Sequence, residues 1–387
     1  MQRIKYIYVI LLALVIVLSC EIVSRNVTFE DVDFLAFYTA GKIINEGDIS
    51  NLYNFSYQYQ LNQEVRAESG IYATNTIYTF INPPVYSLLI SPFAKLPYLT
   101  AFALWRILSL SILLLCSWIL VKELQMKLQW YHIAVAVFIS YPAIIAFKLG
   151  QNSFISLGIY TAVFVLLRRG NDFPAGLILS LGLLKPQLFF LLPCTLVMLK
   201  KWRATLGFTV GSTVFCLISF VSLGVKSNFD FIALITSSTY KTAWIPLQSY
   251  MHSIPAFFGI LGGADRLVVA AITATTILFA IFLAVSYKRK FDSIFALAIV
   301  GNVLSSPHLF HYDLLILAIP CLILFQTKEI IVKFSLAAFF VLMWLSQFYI
   351  KFIPIQITVL LIVWIFILIW RKPFTTAEHK PEPQSAM

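Results

Sequence analysis

Charge is scarce in this chain. Only 12% of its 387 residues are Asp, Glu, Lys or Arg, and acids are the rarer sign, 17 against 28 basic residues. A water-soluble domain of this length needs a largely polar surface, so the shortage excludes that class. Cysteine is also sparse. Cys20, Cys116, Cys194, Cys216 and Cys321 are scattered through apolar stretches without metal-ligand or disulfide spacing, and they read as packing residues. There is no HExxH and no Cys cluster, so no zinc site and no cofactor is expected. No repeat relates the two halves of the chain.

Hydrocarbon is what the chain has in excess. It is 60% hydrophobic with a mean hydropathy of +0.87, and apolar runs of about 17–25 residues recur along it. The fold class is therefore an all-α polytopic membrane protein with the lipid bilayer as its partner. The formal net charge of +11 does not imply nucleic acid, because the basic residues sit in short clusters between apolar runs. Examples are Arg168/Arg169, Lys200/Lys201/Arg203, Lys288/Arg289/Lys290 and Arg371/Lys372. Such clusters mark cytoplasmic loops.

Placing the clusters inside gives about 12 spans with both termini cytoplasmic. A first signal-anchor span (about 6–23) is followed by an outer segment, about 24–99, that holds interfacial or re-entrant helices. Spans are then expected at about 100–121, 131–147 and 153–168, with two short halves at about 172–184 and 187–199 meeting at "KPQ". A span at about 204–224 leads to a second outer segment, about 225–264, and the remaining spans end near residue 372. Residues 1–372 form one transmembrane domain, and the polar, Pro-bearing tail 373–387 is expected to be disordered. Pro83, Pro84, Pro92 and Pro97 break the apolar stretch "INPPVYSLLISPFAKLPYLT" into short pieces.

Every polar constellation without a clustered basic motif then falls on the outer side: Asp31/Asp33, Gln151/Asn152, Lys185/Gln187, His252 and His308/His311/Asp313. Their convergence on one cavity is the main functional expectation. Seven of the 17 acids lie in the first outer segment. Glu46, Asp48, Glu64 and Glu68 read as solvated loop charges. Asp33 precedes "FLAFYTAGKII", an amphipathic stretch expected to hold it at the membrane surface, where a partly desolvated carboxylate can serve as a general base. Asp31 competes for that role.

Lys185 interrupts a run whose halves each have about 13 residues, roughly 20 Å of helix against a hydrocarbon core of roughly 30 Å. An ammonium there needs water or an anion, although snorkelling to headgroups is the plain alternative. In "SSPHLFHYDLLIL", Asp313 precedes an apolar run and reads as a helix cap, while His308 and His311 can meet a phosphate or carry a proton. In "KLGQNSF", Asn152 reads as the cap of the next helix and Gln151 as a hydrogen-bonding partner for a polyol. His252 reads as loop material without a role. Asn26 and Asn54 match the short glycosylation acceptor pattern.

In joint order, "DFLAFYTAGKIINEGDISNLYN", "NPPVYSLLISPFAKLPYLTAFALW", "GQNSF", "AGLILSLGLLKPQLFFLLPCTLVMLKKWRA" and "SSPHLFHYDLLIL" resemble glycosyltransferase family 87. The resemblance runs from about residue 30 to about residue 320. It implies a GT-C-like bundle and an enzyme related to polyprenyl-phosphate-mannose-dependent α-mannosyltransferases of the bacterial inner membrane. The active site would face the periplasm, the donor would be a polyprenyl-phosphate sugar, and the acceptor a glycolipid or glycan. The resemblance places the catalytic acid on Asp33, the Lys-Pro-Gln turn on Lys185, Pro186 and Gln187, and the late loop on His308, His311 and Asp313. Lys185 and one of the two histidines would meet the phosphate, with Arg106 a more distant candidate. No metal is expected, since Asp31 and Asp33 lack a ligand set around them. The rival classes are a secondary transporter and an envelope polysaccharide polymerase or ligase.

Overall fold

The computed structural model describes residues 32–72, 74–237, 250–261, 266–349 and 356–371. The expected first span, Asp31, Asn26 and the tail 373–387 lie outside the described residues. Those described are helical, and their one β feature is an isolated bridge between Met251 and Phe310.

In chain order the α-helices begin with α1 (Phe34–Glu46), α2 (Phe55–Glu68), α3 (Val85–Ile90), α4 (Tyr98–Glu123) and α5 (Trp130–Phe138). They continue with α6 (Tyr141–Leu149), α7 (Ser153–Arg168), α8 (Asp172–Ser180), α9 (Leu191–Met198), α10 (Trp202–Thr236) and α11 (Ile254–Ile260). The last five are α12 (Arg266–Ser286), α13 (Phe291–Ser305), α14 (Ala318–Phe325), α15 (Ile330–Tyr349) and α16 (Ile357–Arg371). Short 3₁₀ turns at Leu181–Leu184, Pro186–Leu188 and His311–Leu317 fill breaks between them.

Three helices are long and apolar enough to cross a bilayer: α4, α10 and residues 268–286 of α12. The span expected at about 131–147 is instead two helices, α5 and α6, bent by 71°. Pro142 stands in the first turn of α6 behind the extended Ser140, and proline opens a helix well but cannot continue one. Counting this pair as one crossing makes four. The other apolar helices have 10–17 residues. The longest of these, the stretch Ile330–Ser346 of α15, is about 26 Å long against a hydrocarbon core of about 30 Å. Length and composition therefore establish three or four crossings among the described residues, and not the dozen expected.

Near residue 224, where the outer segment was expected to start, α10 breaks at Gly224 (φ 79°, ψ 165°), a conformation that glycine alone adopts easily. Ser219 Oγ donates to Asn228 Oδ1 at 2.6 Å and Asn228 Nδ2 to the Gly224 carbonyl at 2.8 Å, bracing the kink.

Two cores organise the described chain. One joins α1, α2 and α3 to the start of α4 through Phe34, Phe37, Phe80, Tyr86, Tyr98 and Trp105. Nine of the 13 residues of α1 are buried, so it packs inside this core. The other core surrounds α13, every residue of which from Asp292 to Ser305 is buried. The cavity described next opens where the two cores meet.

Candidate functional site

Seven separate stretches of chain enclose a cavity of about 870 Å³. Asp33, Gln151, Lys185, Gln187, His308 and His311 all line it, as does Asp313. Asp31 lies outside the described residues. Arg106 is not among the lining residues; its guanidinium stacks on Phe102 and Phe147, 4.3 and 5.0 Å from the ring centroids.

Asp33 occupies the capping position of α1, yet its side chain makes no capping hydrogen bond. The carboxylate instead accepts from Gln151 Nε2, 2.7 Å from Oδ2. Gly150 makes that meeting possible. It ends α6 in the left-handed region (φ 66°), and a Cβ on it would lie 2.7 Å from Phe34 Cβ. Its carbonyl accepts from Trp105 Nε1 at 2.8 Å. Any larger residue would push the two segments apart. Burial raises the Asp33 carboxyl above the ordinary carboxylate range, while the Gln151 hydrogen bond and the Lys185 charge pull it back down.

Lys185 sits at the break between the turns Leu181–Leu184 and Pro186–Leu188. Proline at 186 removes a donor and disfavours helix in the residue before it; Lys185 has φ −145° and ψ 67°. The exposed backbone of the break is satisfied from elsewhere. Asn302 on α13 donates to the Gln187 carbonyl and accepts from the Leu191 amide, each at 3.0 Å, and the Tyr160 hydroxyl donates to the Leu188 carbonyl. Lys185 is only 7% exposed. Its ammonium does not snorkel: it forms an ion pair with Asp313 and donates to Asn152 Oδ1 at 3.0 Å. The Tyr312 ring lies 5.2 Å away.

Of the two capping expectations, the one for Asn152 is corrected and the one for Asp313 holds but is incomplete. The Asn152 side chain does not cap α7, because Lys185 takes its carbonyl oxygen. Asp313 lies within the first turn of the helix His311–Leu317, where it accepts a 3.4 Å bond from the Phe310 amide. Its other oxygen takes Lys185 and Ser153 Oγ, the latter at 3.0 Å. Asp313 is thus a capping residue and the counter-ion of Lys185 at once.

The bridge between Met251 and Phe310, with the His252 amide donating to the Leu309 carbonyl at 2.9 Å, joins the second outer segment to the late loop. It brings Tyr250 and Met251 to the cavity wall. The His311 ring packs 5.3 Å from Tyr141 and bonds to the Tyr250 backbone. His308 lies 5.0 Å from the Phe310 ring. His252, expected to be loop material, is buried, and its Nδ1 is 2.6 Å from Thr358 Oγ1. It fastens this loop to α16. Asn54, read as a glycosylation acceptor pattern, caps α2 through Tyr57.

Sequence reasoning did not single out Tyr250 or Tyr312, and although it expected Asn152 and Asp313 at the cavity it read both as helix caps. For Asp313 a signal existed: it is an acid beside an apolar run in a chain with only 17 acids. Among the described residues, no group of three or more His, Cys, Asp or Glu side chains is placed to hold a metal ion. The arrangement offers a desolvated carboxylate whose Oδ1 has no partner among the described residues. It also offers an ammonium with two of its three donors engaged.

No curated protein and no solved structure matches the chain. The family model for glycosyltransferase family 87 matches residues 80–307, a stretch that includes Gln151, Lys185 and Gln187 and stops just short of His308. That match covers more than half of the chain, which belongs to glycosyltransferase family 87 and is a membrane glycosyltransferase.

Proposed function

We propose that the cavity transfers a sugar, mannose or a similar hexose or pentose, from a polyprenyl-phosphate donor to a hydroxyl of a glycolipid or glycan. The reaction takes place on the outer, periplasmic face of the bacterial inner membrane. The single observation that carries this reading is the placement of Asp33 and Lys185 on the same cavity, close enough that the ammonium favours the charged carboxylate.

Asp33 is the general base. Gln151 occupies Oδ2, and Oδ1 accepts the proton of the acceptor hydroxyl as that oxygen attacks the anomeric carbon. The new C–O bond forms while the bond from the anomeric carbon to the phosphate oxygen breaks. The electron pair leaves with the polyprenyl phosphate. A phosphate is a stable leaving group, so no protein acid is required. The charge gathering on it is met by fixed donors, the Lys185 ammonium and a histidine of the late loop. Attack from one face with departure from the other inverts the anomeric centre, unlike the paired-carboxylate arrangement of retaining hydrolases. Membership of a glycosyltransferase family favours this reading over transport.

The test is a transfer assay on the purified protein with a radiolabelled polyprenyl-phosphate sugar and a panel of glycolipid acceptors. Wild type is expected to transfer the label and Asp33→Asn to lose the transfer. Equal transfer by the two proteins would remove Asp33 as the base, and no transfer by wild type from any such donor would remove the donor class.

A further inference from the structure

Lys185 is the one Lys or Arg among the described residues that line the cavity, and it is already paired. Its partner Asp313 is fully buried and joins three segments that are distant in sequence. Oδ1 receives the Lys185 ammonium from the break before α9 and the Ser153 hydroxyl from the start of α7, and Oδ2 receives the Phe310 amide from the late loop. An ammonium has three N–H donors. Asp313 and Asn152 take two, and the third is left to the cavity. A flexible four-carbon stem does not aim a cation by itself. Here two fixed acceptors aim it.

We propose that Asp313 is a positioning residue for sugar transfer: it orients Lys185 so that the remaining N–H meets the donor phosphate, and it does not touch the donor itself. The inference rests on the preceding reading of Lys185 as the phosphate-binding cation. Asp313 also offsets the charge of Lys185. Lys185 is therefore held ready for the phosphate without standing as an unpaired ion in a buried place. In the transition state, negative charge moves onto the leaving phosphate, and the ammonium can shift its weight from Asp313 to that oxygen. Loss of Asp313 frees the ammonium from its anchor, so ground-state capture of the phosphate survives while turnover suffers.

The experiment is a double-mutant cycle on the full-length detergent-purified protein with Asp313→Asn, Lys185→Gln and the double variant. Binding of undecaprenyl phosphate and transfer from the polyprenyl-phosphate sugar are both measured. Asp313→Asn is expected to lower kcat about tenfold or more while KM for the donor and affinity for undecaprenyl phosphate hold within about threefold. Lys185→Gln is expected to weaken undecaprenyl phosphate binding about tenfold. Adding Asp313→Asn to Lys185→Gln should change neither quantity further, because the residue acts only through Lys185. The neutral double variant also restores folding if Lys185→Gln alone leaves Asp313 as an unpaired buried charge.

Losses from the two substitutions that multiply would overturn the proposal, as would an Asp313→Asn protein that binds undecaprenyl phosphate as weakly as Lys185→Gln does. A merely structural Asp313 would lower thermal stability equally in both backgrounds and leave kcat per folded molecule unchanged, which also overturns it. If wild type transfers nothing, the functional reading falls. The inference is then decided by the binding arm alone: affinity for undecaprenyl phosphate kept within about threefold in Asp313→Asn but weakened about tenfold in Lys185→Gln supports it, and equal weakening in the two variants refutes it.

Discussion

The two ends of α7 each carry a cluster of buried charge, and the clusters differ in kind. At the far end, Arg168 contacts Glu123 Oε1 at 3.4 Å and Asp292 Oδ1 at 3.3 Å, and Arg169 reaches Glu123 Oε2 at 2.8 Å. Two cations meet two carboxylates, both acids are almost wholly buried, and the group ties the ends of α4 and α7 to the start of α13. At the near end, one ammonium faces two carboxylates, Asp33 and Asp313, and the donors and acceptors left over point into a cavity. The first cluster is balanced and closed. The second has a surplus of valence and an opening. A buried charge cluster alone indicates little about function, since it can serve only to fix packing. Unspent hydrogen-bonding capacity beside a cavity is what separates the site from the clamp.

Substitutions can break this comparison. The largest effect is expected from Asp33→Asn, with turnover falling about a thousandfold, the range of a lost general base. Its unfolding temperature should hold or rise, because a carboxylate disfavoured by burial has been removed. A fall in stability with normal turnover would reverse the assignment of the two ends. Next comes Glu123→Gln at the clamp, expected to cost about 3 kcal/mol of stability through the buried Arg168 left short of a counter-ion. Here kcat per folded molecule, measured beside a denaturation series, should stay within about twofold of wild type, since distant sites add without coupling.

Asn302→Ala tests the brace behind Lys185. It leaves the Leu191 amide and the Gln187 carbonyl without their partner, a loss of about 1–3 kcal/mol, and unlike the clamp variant it should also reduce turnover because the Lys185 break loosens.

The smallest effect is expected from Gln151→Leu. Burial places the Asp33 carboxyl above the ordinary range, and the Gln151 hydrogen bond draws it downward. Without that bond the carboxyl rises further. A base must be deprotonated to act, so the acid limb of the pH–rate profile should move to higher pH, with the plateau at high pH largely kept. A shift to lower pH would contradict the described geometry.

Much of the site could be read from single residues. A lysine between two apolar halves too short to span, a glutamine opening "QNSF", and histidines in a Pro-bearing break are conspicuous because apolar surroundings make polar groups costly. What could not be read was how they pair. Asp313 and Lys185 are 128 residues apart, and an acid at the start of an apolar run is equally at home as a cap, which Asp313 also is. Asn152 presented the same ambiguity and resolved to the ammonium. The bend between α5 and α6 did have a local signal in Ser140-Tyr141-Pro142, outweighed in the sequence reading by the continuous hydrophobicity on either side.

Composition and periodicity by themselves determined a helical chain in a bilayer, its break at Lys185-Pro186-Gln187, and the polar residues too expensive to be idle. These follow from local physics: hydropathy, helix propensity and the missing N–H of proline act within a few residues of chain. Tertiary structure alone decided that Asp33 bonds to Gln151, that Lys185 is neutralised by Asp313, and that the charges at the other end of α7 cancel among themselves. Electrostatics and hydrogen bonding act through space, and which groups share that space is set by how the helices pack.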